Sequence, residues 1–127
     1  MADISVFSND LAGIGIAKPF RMPVISFLRC TPGPGDFIWL AFVVVQVLDG
    51  VMSYIGVRTF GPWIEANPIV GFYAEALGPA LGFTGAKLFA VGCGTVLSMM
   101  ARHGTLAVLT AVYVVFAVAP WLEILAV

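Results

Sequence analysis

Apolar positions fall into three long blocks, separated by short stretches rich in glycine, proline and charge. The first block, Phe37 to Val57, is long enough to cross a hydrocarbon core of about 30 Å as a helix. Asp36 stands at its start, where the helix dipole favours an acid. Within the block, Gln46, Asp49, Gly50, Ser53 and Gly56 recur at helical spacing on one face, and the other faces are Val, Leu, Ile and Phe. Such a helix meets lipid over most of its girth and needs protein or water along its polar seam.

Arg58 to Ala66, with Gly61-Pro62-Trp63, reads as a loop. Asn67-Pro68 then opens a helix, with Asn as N-cap and Pro at the first helical position, where its missing N–H costs nothing. Gly78-Pro79 interrupts that helix well below a spanning length. Its pattern puts Ile69, Phe72, Tyr73, Ala76 and Leu77 on one face, with Gly71 and Glu75 on the other. The expectation is a short re-entrant or interfacial helix, with a full fourth span as the alternative.

Thr84 to Ala101 is the second strong span. Ala86, Ala90, Gly94 and Ser98 stand four apart, a helix-packing face of small residues that admits close approach of another backbone. Arg102-His103-Gly104 forms a turn. Thr105 to about Ile124 is the last span, with Pro120 near its end and Trp121 placed as an interface anchor.

Ahead of these blocks lies a leader, residues 1–35, read as an extended or interfacial arm. Its basic residues Lys18, Arg21 and Arg29 alternate with apolar ones, and Pro19 and Pro23 prevent one long helix. Residues 36–127 form the transmembrane bundle. The first ten residues carry Asp3 and Asp10 where a signal peptide has a basic region, so none is expected.

Composition sharpens this picture. The chain has 127 residues, 61% hydrophobic and 10% charged, against about 45–50% and 25% in ordinary soluble domains. With a mean hydropathy of +1.04, the predicted fold is an all-α integral membrane protein in the lipid bilayer. Three transmembrane helices are expected, or four, plus the short helix. Six basic and seven acidic residues leave no basic stripe for nucleic acid. Three spans with a cytoplasmic N-terminus put Lys18, Arg21, Arg29 and Arg102 inside and only Arg58 outside. Four spans weaken that bias, so three spans in a bacterial inner membrane are preferred.

Charged groups in the bilayer need an account, because each costs about 2.5–3.5 kcal/mol at mid-membrane on insertion scales. Asp49 lies about two turns, and Lys87 about one turn, from the same end of their helices. A lysine stem covers that offset, so an Asp49–Lys87 ion pair is expected, with Glu65 and Asn67 closing over it. With Ser53 these residues form the candidate polar binding cluster, suited to a proton, a cation or a polar headgroup. The plainer reading is a pair that fixes helix register while Lys87 snorkels. His103 has no second ligand at metal spacing, Ser53 and Ser98 have no histidine at depth, and Cys30 and Cys93 are placed against a disulfide framework. No cofactor, metal or catalytic set is expected.

At Leu48-Asp49, Ser53-Tyr54, Gly56, Glu65-Ala66-Asn67-Pro68 and Lys87-Leu88 the sequence resembles a family of small prokaryotic multi-pass membrane proteins, a domain of unknown function. The likeness covers roughly Phe37 to Val127. Ser53 stands where that family tends to have Thr, which keeps a hydroxyl. The resemblance implies that Asp49, Glu65, Asn67 and Lys87 form one site and brings no activity with it.

Three functions follow as expectations. The first is an accessory or scaffold subunit that packs against other membrane protein subunits through the small-residue face, or a homo-oligomer. The second is an ion- or proton-binding or transport protein using Asp49 and Lys87. The third, an intramembrane enzyme, has the least support, because no nucleophile–base or metal set is visible.

Overall fold

Proline opens four of the helices in the computed structural model, which describes residues 22–127. Pro23, Pro34, Pro68 and Pro79 each sit in a first helical turn, where a fixed φ is pre-organised and no N–H is missed. Helix α1 is Pro23–Leu28 and α2 is Pro34–Phe60. A 3₁₀ turn, Pro62–Ile64, leads to α3, Pro68–Leu77, and then to α4, Pro79–Met99. The final span, α5, is His103–Leu125. It is α-helical over His103–Tyr113, π-helical over Val114–Val118 and α-helical again over Ala119–Leu125.

Three helices, α2, α4 and α5, are long and apolar enough to cross a membrane, and α3 is a shorter apolar helix. The three-span expectation therefore stands. Observed boundaries are wider than the apolar blocks, because Gly33 and Gly61 cap α2. At the start of α2 the Asp36 carboxylate accepts from the Gly33 N–H at 2.7 Å. Gly61 and Gly78 take φ of +96° and +85°, a backbone that β-carbon-bearing residues adopt only under strain.

Gly78-Pro79 does more than interrupt a helix: it begins α4 five residues ahead of Thr84, making a tight α3–α4 corner. α3 then packs back along α4, with Gly82 so near the Ala74 backbone that a methyl at Gly82 would lie 2.6 Å from Ala74 N. Ala74 and Phe83 are buried there with Val57, flanked by Ile64 and Val70. The packed edge of α3 is thus Val70–Ala74. The expected apolar face, with Ile69, Phe72, Tyr73 and Leu77, is the exposed one.

Of the expected arm, residues 1–21 lie outside the described residues. Residues 23–28 form the short α1, whose Phe27 ring meets Phe37 edge-on at 5.8 Å and Trp39 at 6.3 Å. Between α2 and α4, Trp39 Nε1 donates to Thr95 Oγ1 at 3.0 Å. Gly94 admits the Phe42 ring, which a methyl there would overlap. The buried apolar set is small, while Phe89, Val115, Phe116, Leu88 and many others stand exposed. In water that surface would drive association; against lipid tails it carries no such cost.

Candidate functional site

Asp49 sits mid-way along α2 and Lys87 two turns into α4, and the two side chains meet as an ion pair. Gly50 makes the meeting feasible. The lysine stem lies across it, so that a methyl there would come 3.1 Å from Lys87 Cγ. Ser53, one turn on from Asp49, donates its hydroxyl to Asp49 Oδ1 at 3.4 Å. Lys87 Nζ also stands 5.4 Å from the centre of the Tyr113 ring on α5, within cation–π range. Asp49 keeps 6% of its side-chain surface and Lys87 19%, so the pair is shielded without being sealed.

Glu65 and Asn67 approach from the loop before α3. Asn67 Oδ1 accepts from the N–H groups of Ile69 at 3.1 Å and Val70 at 3.5 Å, the expected N-cap. Its own N–H donates to Glu65 Oε1 at 3.0 Å. With its oxygen committed to the cap, Asn67 serves by holding Glu65. Desolvation pushes the Glu65 carboxyl above its ordinary pKa. The Asn67 N–H opposes this, Asp49 adds to it, and Lys87 offsets part of it.

These residues converge on a cavity of about 750 Å³ lined by Asp49, Ser53, Glu65, Asn67 and Lys87. Its walls are apolar, from α3, α4 and α5. Ala86 and Ala90 belong to that wall, whereas Gly94 and Ser98 are buried. The small-residue face is thus divided between the cavity and packing inside the chain.

Three features escaped sequence reasoning. Trp121 is 7% exposed and lies on Gly56 beside the cavity, which corrects its reading as an interface anchor. Tyr113 received no role, although it is the one tyrosine in the last span. Gln46 belonged to the polar seam but not to the expected site. It is fully buried, and neither amide atom has a hydrogen-bond partner among the described residues. It lines a smaller cavity of about 430 Å³ with Gly50 and Lys87. Cys30 and Cys93 are free and exposed. Among the described residues no group of three His, Cys, Asp or Glu side chains converges as a metal site.

The family model described as "Domain of unknown function (DUF5658)" matches residues 40–126, a stretch that includes every residue of the cluster. The chain belongs to DUF5658. No curated protein and no solved structure matches it. Membership of DUF5658 bears out the resemblance to an uncharacterised family and adds no activity, so the DUF5658 site has to be read from its own chemistry.

Proposed function

We propose that this DUF5658 chain is a membrane protein that binds a small cation or polar solute in the cavity floored by Asp49 and Lys87. One observation carries the reading: the paired polar groups still border open volume. A pair that only fixed helix register needs no space beside it, and each ion withdrawn from water costs several kcal/mol unless its remaining hydrogen-bond sites are satisfied, which a guest in adjoining space can do. Here the pair borders about 750 Å³ of space, with Glu65 at the same cavity. Two carboxylates against one lysine leave a cation as the fitting guest.

The accessory-subunit reading has less to stand on. Gly94 and Ser98 of its proposed contact face are buried inside this chain, and Ala86 and Ala90 face the cavity. Binding is tested by thermal unfolding of the purified protein in mild detergent with increasing ethylammonium, since a ligand selective for the folded state raises the midpoint. A saturable rise in wild type, lost in Asp49→Asn and in Ala90→Leu, supports the reading. Ala90→Leu fills the wall without touching the ion pair. No rise in a folded wild type, or an equal rise in both variants, overturns it.

A further inference from the structure

The cavity has a side as well as a mouth. α4 packs against the His103–Tyr113 part of α5, yet no α4 Cα comes within 8 Å of a Cα in Val114–Val118 or Ala119–Leu125. α3 keeps the same distance from those two segments. The two spans therefore diverge beside the cavity, and the gap lies along the length of apolar helices. Phe89 on α4 and Phe116 on α5 both line the cavity and are each 76% exposed. Side chains that face both the interior and the surroundings are the lips of an opening. In a spanning bundle, that opening faces lipid.

The divergence has a cause in the sequence. Pro120 has no N–H to give the Phe116 carbonyl, and its ring crowds that carbonyl. The chain widens into a π-helical turn over Val114–Val118 just before it. Such turns recur at functional sites in helices. Phe116 and Ala117, inside this turn, and Pro120 itself all line the cavity.

Chemistry along the cavity is graded. At its floor are Asp49, Ser53 and Lys87, and Glu65 approaches from the loop. Toward the gap the lining is Ala86, Phe89, Ala90, Phe116 and Ala117. The Lys87 ammonium is already committed to Asp49, so an anionic head would meet Glu65 with no free cation to balance it. A positive head finds the second carboxylate. Tyr113 and Trp121 line the same cavity, and aromatic rings accept cations better than anions.

We propose that the occupant is a membrane-dissolved amphiphile with an amine-type cationic head, entering sideways between α4 and α5 and leaving its tail against Phe89 and Phe116. This inference rests on the cavity being a binding site and specifies the guest and its route. Neither follows from a register-setting ion pair.

Trp121 provides the readout. In a Trp39→Phe/Trp63→Phe background it is the remaining tryptophan. The protein is placed in lipid nanodiscs and titrated with 3-bromo-4-octylbenzylamine, whose bromine sits near the charged head and quenches indole fluorescence on contact. Concentration is expressed as mole fraction of lipid, so that simple partitioning is cancelled, and 3-bromo-4-octylbenzoic acid at a pH where it is ionised is the anionic control. The expected result is saturable quenching by the amine, weaker and unsaturated quenching by the carboxylate, and a loss of amine affinity of about tenfold in Glu65→Gln. Ala90→Leu should abolish the saturable phase while the protein stays folded by circular dichroism. Equal, linear quenching by both probes overturns the inference. If ethylammonium stabilises the protein as above but the bromoamine quenches without saturation, the binding site stands and the lipid-side route falls. If neither binds, both readings fall together.

Discussion

Asp49 and Lys87 set the cost of every change around them. Removing one partner strands a charge beside a cavity, whereas removing both leaves only lost packing. Asp49→Ala or Lys87→Ala alone should therefore lower stability by about 3–5 kcal/mol, and the double variant by clearly less than their sum. Denaturant unfolding of the four proteins in detergent decides this; additive losses would mean that the charges do not interact. Glu65 responds to pH. Its folded-state pKa is raised by desolvation, so the folded form keeps a proton that the unfolded chain has already lost. Stability is thus greatest below the ordinary glutamate range and falls as pH rises through the raised value. Cation affinity moves the opposite way, because the second carboxylate appears only on ionisation. Asp49 on α2, Lys87 on α4, Tyr73 on α3 and Tyr113 on α5 share the cavity with Glu65. Glu65→Gln should flatten both profiles over that range, measured as midpoint and ethylammonium affinity against pH. An unchanged profile would assign the titration to another group. The ion pair was legible in the sequence because two isolated opposite charges lay at matching heights in apolar helices. Trp121 was not, because its burial depends on Gly56 of another helix, and no local pattern carries that contact.

Elements were legible where proline and glycine speak alone. Asn67-Pro68 and Gly78-Pro79 announced the ends of α3, and the three apolar blocks announced the spans. What the pattern could not give was the side on which α3 packs. Ile69, Phe72 and Leu77 look like a buried stripe to a water-based rule, yet in lipid the apolar side chains face outward and small residues take the contact. The Ala74–Gly82 crossing is the consequence. Gly82→Val should push α3 away from α4 at a cost of about 1–3 kcal/mol and weaken ethylammonium binding, because the loop carrying Glu65 is tethered to α3. Thermal unfolding and the same titration check both effects. Loss of stability with unchanged affinity would show that α3 does not position Glu65. The π turn before Pro120 is a second feature hidden from periodicity, since one proline near a helix end reads equally as a kink or as a terminus.

For the whole molecule, composition alone indicates a bilayer protein, and the three spans follow from block length. Native cysteines report the arrangement. Cys93 lies in α4 on an exposed, lipid-facing position, and Cys30 is exposed between α1 and α2. In intact cells a membrane-impermeant maleimide should spare Cys93 until detergent is added. If the N-terminus is cytoplasmic, Cys30 should react only after permeabilisation. Labelling of Cys93 in intact membranes would contradict α4 as a span, and labelling of Cys30 from outside would invert the topology. The cavity, by contrast, is a property of the assembled helices: its floor residues were foreseen, but its volume and lateral gap arise from how α4 and α5 diverge. The most direct measurement is an experimental structure of the protein extracted with its surrounding lipid, without detergent. An elongated non-protein molecule should occupy the cavity, its polar end within hydrogen-bond distance of Asp49 or Glu65 and its tail passing between Phe89 and Phe116. Helices α4 and α5 closed on one another, with Asp49 and Lys87 enclosed and no space beside them, would contradict it.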